Sequence, residues 1–188
     1  EAGSAITFDV ALSSEPYHPV TFTLTGLDTS EGSVDTATLS FDANNWNTPQ
    51  QITLTGVDDF LDDGDITYIV NLASASGDTA YGAYNTNFDI TNTDDDTAWI
   101  SVTTPAGLTT TEAGSAITFD VALSSEPYHA VTFTLTGLDM SEGSVDTATL
   151  SFDVNNWNTP QQITLTGIDD FLDDGDITYT VNLASAST

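Results

Sequence analysis

Apolar and polar residues alternate with a period of two along most of the chain. Ile6, Phe8, Val10 and Leu12 share one parity, with Thr7, Asp9 and Ala11 on the other. This is the pattern of a strand with one buried and one solvated face. Val20, Phe22 and Leu24 alternate with Thr21, Thr23 and Thr25 in the same way. Further strands are predicted around Ala37, Leu39 and Phe41, around Ile52 and Leu54, around Ile66, Tyr68, Val70 and Leu72, and around Phe88 and Ile90. No stretch carries a helical period of useful length.

These six segments are strands B to G of one unit, and Trp99-Ile-Ser-Val102 reads as strand A of the next. Seven short strands with threonine-rich outer faces, separated by turns about every 8–12 residues, predict an all-β fold of tandem immunoglobulin-like sandwiches.

The same pattern is then written a second time. Residues 1–77 recur at 112–188 with a constant offset of 111, and only six positions differ: Pro19/Ala130, Thr29/Met140, Ala43/Val154, Val57/Ile168, Ile69/Thr180 and Gly77/Thr188. The polar replacement, Ile69 to Thr180, falls on the outward parity of strand F, where it removes no core burial. The expected domains are 1–96, without its own strand A, and 97–188, without its strand G. What one end misses the other would supply next. That fits either a window on a continuous array or a subunit completed by a neighbour's strand.

Charge changes the picture most. The chain has no Lys or Arg and 29 acidic residues, a formal charge of −29. Attraction to nucleic acid or to an anionic membrane surface is excluded, and salt bridges to lysine or arginine cannot form. There is no cysteine to staple the fold and no lysine for an isopeptide bond, and no apolar run approaches a membrane span.

Within that background, Val57–Asp65 reads VDDFLDDGD and Ile168–Asp176 reads IDDFLDDGD. Each carboxylate pair a few Å apart in such a turn repels by roughly 0.5–1 kcal/mol even at water's dielectric. If successive strands run up and down, the A–B, C–D and E–F connections and the exit of strand G share one end. That end would collect Glu1, Asp28, Glu31, Asp35, Asp58, Asp59, Asp62, Asp63, Asp65 and Asp94–Asp96, which is twelve of the seventeen acids in residues 1–96. Calcium, with six to eight oxygen ligands and tolerance of irregular geometry, suits such loops, whereas zinc or copper would want His or Cys. The loop is not an EF-hand, because the positions counted back from Gly64 include Leu61.

The Glu-Ala-Gly that opens strand B, the hairpin VDDFLDDGDITYIVNL and the closing DITNTDDD together resemble a Calx-β domain, in particular the tandem units of large bacterial surface proteins. The likeness covers nearly all of the 111-residue repeat. It implies a seven-stranded immunoglobulin-like sandwich that gathers calcium at one tip. The family's ligand positions fall on Glu1 and Glu112, on Asp58, Asp59, Asp169 and Asp170, on Asp63 and Asp174, and on Asp94, Asp95 and Asp96. Asp28, Asp65, Asp139 and Asp176 join this candidate set by position. The family's second E–F glutamate is replaced by Ile66 and Ile177, and its Asp-Tyr after strand C is missing.

Other motifs have plainer readings. His18 and His129 sit in Glu-Pro-Tyr-His turns without an evident nucleophile or orienting partner. Trp46 and Trp157, in Asn-Asn-Trp-Asn-Thr-Pro, read as a packed corner before a sugar platform. Carboxylates in sandwich-end turns have no apolar pocket to raise a pKa, so no enzyme is expected. The expected function is a calcium-stabilised structural repeat of an extracellular, cell-surface filament, adhesin stalk or biofilm fibre, with copies of itself as partners. The alternative is a calcium-dependent adhesive module for carbohydrate or another surface.

Overall fold

A computed structural model describes residues 3–187. Internal contacts divide the chain into two compact units, Glu1–Asp59 with Asp63–Asp95, and Phe60–Asp62 with Asp96–Thr188. The described residues contain strands and turns and no helix, and every strand pairing is antiparallel.

The first unit holds β1 (Ala5–Val10), β2 (Val20–Thr25), β3 (Gly32–Val34), β4 (Thr38–Phe41), β5 (Gln50–Gly56), β6 (Ile66–Ser76) and β7 (Asn85–Asn92). One sheet has the order β1-β5-β3 and the other β4-β2-β6-β7. Their inward faces share one core, in which Ile52 and Leu54 of β5 meet Val20, Phe22, Leu24, Leu39, Phe41, Val70 and Leu72. Phe8 and Phe88 stack with ring centroids 5.7 Å apart. Two antiparallel sheets closed over one apolar cluster are consistent with a β-sandwich.

The parity expected from the sequence holds at these core positions, and Ile69 is 54% exposed on the outward side. It fails at the margins. Ile6 is 50% exposed at the start of an edge strand, Ala37 is exposed, and Phe88 lies at the boundary of exposure on β7, the other sheet's edge. The three-residue β3, paired with Gly56–Leu54, was not among the expected strands; its Gly-Ser-Val is too short to show an alternation. Trp46 packs against the core, and its carbonyl accepts the Leu12 N–H at 2.9 Å, as a corner residue would.

The second unit holds β8 (Ile100–Thr103), β9 (Ala116–Leu123), β10 (Val131–Thr136), β11 (Gly143–Val145), β12 (Thr149–Phe152), β13 (Gln161–Gly167) and β14 (Asn182–Ser187). Its sheets have the orders β11-β13-β9-β8 and β12-β10-β14. The strand added beside β9 is β8, while β14 has no β7 counterpart among the described residues. The core narrows to Val121, Phe133, Leu150, Phe152 and Ile163, with Val131, Leu135 and Leu183 only partly covered.

Candidate metal centre

In the second unit the turn between β10 and β11 is built by Asp139. Its carboxylate accepts the Ser141 N–H and hydroxyl at 3.0 and 2.5 Å, and its carbonyl accepts the Gly143 N–H at 2.9 Å. These bonds hold the Asp139 carboxyl below its ordinary range, the hydroxyl bond contributing most. The turn presents Glu142, whose own carbonyl accepts the Ile168 N–H at 3.0 Å and so ties it to the acidic loop that follows β13. Gly143 leaves room there for the Tyr179 hydroxyl; a Cβ would stand 2.5 Å from it.

The acidic loop shapes itself with its own carboxylates. Asp170 accepts the Leu172 N–H at 2.8 Å and Asp169 the Phe171 N–H at 3.4 Å. Gly175 takes a φ of 78°, a left-handed conformation that glycine adopts without the cost of a Cβ. The outcome is a cluster in which carboxylate oxygens of Glu142, Asp170 and Asp174 all lie within 4.8 Å of one another. Glu142 and Asp170 are half-buried and Asp174 is exposed. Partial desolvation first, then the negative charges of Asp174, Asp139, Asp170 and Glu112, push the Glu142 carboxyl above its ordinary range. Three oxygen donors from two loops, with no lysine or arginine in the chain to balance them, are a hard-cation donor set.

The corresponding region of the first unit is arranged differently. Glu31, the counterpart of Glu142, is buried, and its Oε2 accepts the Asn92 Nδ2–H at 3.2 Å. Asn92 also donates to Val57 O at 2.9 Å, and Val57 N–H donates to Glu31 O at 3.0 Å. Asp94 Oδ2 accepts the Gly64 N–H at 2.7 Å, while Asp94 N–H donates to Asp65 Oδ1 at 3.1 Å. The exit of β7 is thereby knitted to the loop after β5. Burial, followed by the negative charges of Asp28 and Glu31, raises the Tyr68 hydroxyl.

The predicted ligands thus divide. Asp170 and Asp174 are brought together, with Glu112 and Asp139 near enough to act on Glu142 electrostatically. Asp65 and Asp94 are joined through backbone amides. Asp28 is exposed and turned onto Ser30. Asp58, Asp95, Asp169 and Asp176 are exposed; Asp59, Asp63 and Asp96 are half-buried. Glu1 lies outside the described residues. Asp35 leaves the expected acidic end, since its carboxylate accepts the Thr53 N–H at 2.9 Å partway along β5. The predicted ligand set omitted Glu31 and Glu142; the available signal was that both close the same Leu-Asp-x-Ser-Glu-Gly turn as Asp28 and Asp139.

No protein-family model matches the chain, and no curated protein matches it.

Proposed function

We propose that the chain is a calcium-stabilised structural repeat of an extracellular filament, adhesin stalk or biofilm fibre, built from Calx-β-like sandwiches of immunoglobulin type whose partners are further copies of the repeat. The observation that carries this reading is the convergence of Glu142, Asp170 and Asp174 within 4.8 Å. Those side chains would hold the ion, with loop carbonyls and water completing its shell. The bound cation would cancel the mutual repulsion of the loops and so stiffen that end of the unit. The Calx-β-like positions of the sequence fall on the acidic loop after β13, at Asp169, Asp170 and Asp174, and on the β8–β9 connection at Glu112, whose charge acts on Glu142. A reinforcement of this kind suits a chain without cysteine or lysine.

Calcium titration followed by chelator is the test, read by the thermal transition and by binding stoichiometry. The expected result is a reversible rise in the transition, with affinity lowered at least about tenfold by Glu142→Gln. A transition indifferent to both calcium and chelator overturns the reading.

A further inference from the structure

An aspartate followed by glycine is the peptide linkage most open to attack by its own backbone, because glycine brings no Cβ to shield its nitrogen. The chain carries that dipeptide twice, as Asp63-Gly64 and Asp174-Gly175. In the reaction the glycine nitrogen attacks the aspartate Cγ. A C–N bond forms, the carboxyl C–OH bond breaks, and the amide proton leaves with the hydroxyl as water. Water then opens the cyclic imide at either carbonyl. One opening restores aspartate; the other leaves isoaspartate, whose backbone is longer by a methylene.

Sterics do not protect Gly64. It takes a φ of 78°, and a Cβ built on it would meet nothing within 4 Å. Its nitrogen is nevertheless held, since the Gly64 N–H donates to Asp94 Oδ2 at 2.7 Å in a partly buried bond. Asp94 is fixed in turn, its own N–H donating to Asp65 Oδ1 at 3.1 Å. It stands just beyond β7, which pairs with β6 from Ala73↔Asn85 to Ile66↔Asn92. The last residue of that ladder, Asn92, is buried and donates to Val57 O at 2.9 Å. The acceptor of the Gly64 N–H is thus carried on a paired strand rather than on the loop that holds Gly64. For the nitrogen to reach Cγ, the peptide plane must turn and the N–H must leave the Asp94 carboxylate, which costs most where water is partly excluded.

We propose that Asp63-Gly64 is a site of isoaspartate formation that the Asp94 carboxylate holds closed by pinning the attacking nitrogen. Loss of that bond lets the cyclic imide form, and isoaspartate at position 63 then lengthens the β5–β6 connection and draws its carboxylate back toward the main chain. Asp94 acquires by this a task that needs no metal. The inference goes beyond the calcium reading and stands without it.

Ageing the 188-residue chain in excess chelator tests it, so that no metal competes for Asp94. Isoaspartate at position 63 is counted by mapping with a protease that cuts before aspartate and not before isoaspartate. Formation is expected to be at least about tenfold slower in the chain than in a synthetic peptide of residues 57–65. Asp94→Ala is expected to speed it at least about tenfold, leaving Asp174-Gly175 of the same molecule unchanged. Asp94→Asn keeps a side-chain carbonyl that accepts the Gly64 N–H, and its rate is expected to stay within about threefold of the parent. Equal rates in chain and peptide, no acceleration by Asp94→Ala, or an Asp94→Asn rate equal to that of Asp94→Ala would each overturn the proposal. Acceleration accompanied by faster amide exchange throughout β5 would mark a general loosening of the unit and would overturn it as well.

Discussion

Ile66–Val70 and Ile177–Val181 differ at one position, Ile69/Thr180, yet the first opens an eleven-residue strand and the second lies outside any strand. The substitution does not explain this, because threonine is a good strand former and the position faces outward. The neighbour does. In the first unit β2 meets β6 only over Asn71–Ser76, and the Ile66–Val70 half of β6 is held by β7 alone. In the second unit β10 likewise holds Asn182–Ser187, and among the described residues no strand pairs with the preceding Ile177–Val181. Strand structure here follows from pairing more than from propensity.

The same comparison runs through the core. Val70 and Leu72 are 1% and 3% exposed, whereas Val181 and Leu183 are half-buried. The opposite sheet reverses the advantage. Val10 is half-buried on the edge strand β1, while Val121, covered by β8 alongside β9, is fully buried. Even the acidic loops diverge, since Phe171 adopts a φ of 64° and Phe60 has no positive φ.

The largest expected effect is in hydrogen exchange. Amides of Ile66–Val70 should exchange about three orders of magnitude more slowly than those of Ile177–Val181. Equal rates would break the comparison. Next, Leu72→Ala should cost about 2–5 kcal/mol in denaturant unfolding of its unit, and Leu183→Ala roughly half as much. Equal costs would mean that the second core is as well covered as the first. A smaller loss, about 1–3 kcal/mol, is expected for Asn92→Ala, which strips a buried amide from Glu31 and Val57 O.

The smallest effect is electrostatic and opposite in sign in the two media. The Glu142 carboxyl is raised, so the folded state holds that proton more tightly than the unfolded state. In chelator, stability at this site should increase as pH falls through the raised range and decrease above it. With calcium the ionised form is the ligand, so affinity should fall over the same range. Asp28, Asp139 and Asp146 are lowered by hydrogen bonds, and their contribution is present above their unfolded values and lost in stronger acid. Comparing pH profiles of Glu142→Gln and the parent chain separates these terms. Superimposable profiles would show that Glu142 carries no such coupling.

Much of this was written in the chain. Alternation placed Val20, Phe22, Leu24, Ile52, Leu54, Val70 and Leu72 in the core and Ile69 outside it, because a strand's side chains have a period of two and little else to choose from. The duplicated VDDFLDDGD marked the acidic loops, and the absence of Lys and Arg meant that no lysine or arginine of the chain would balance them. Local sequence did not determine which carboxylates meet. Glu31 and Glu142 sit in nearly identical turns, yet one is buried against Asn92 and the other clusters with Asp170 and Asp174. Asn92, at the end of β7 and 61 residues from Glu31, supplies the amide that Glu31 accepts, and no counterpart of that contact lies among the described residues of the second unit. Pattern determines what each segment can be; pairing partners supplied from elsewhere in the fold decide which segments become strands and which acids converge, because a backbone ladder and a shared core exist only between neighbours.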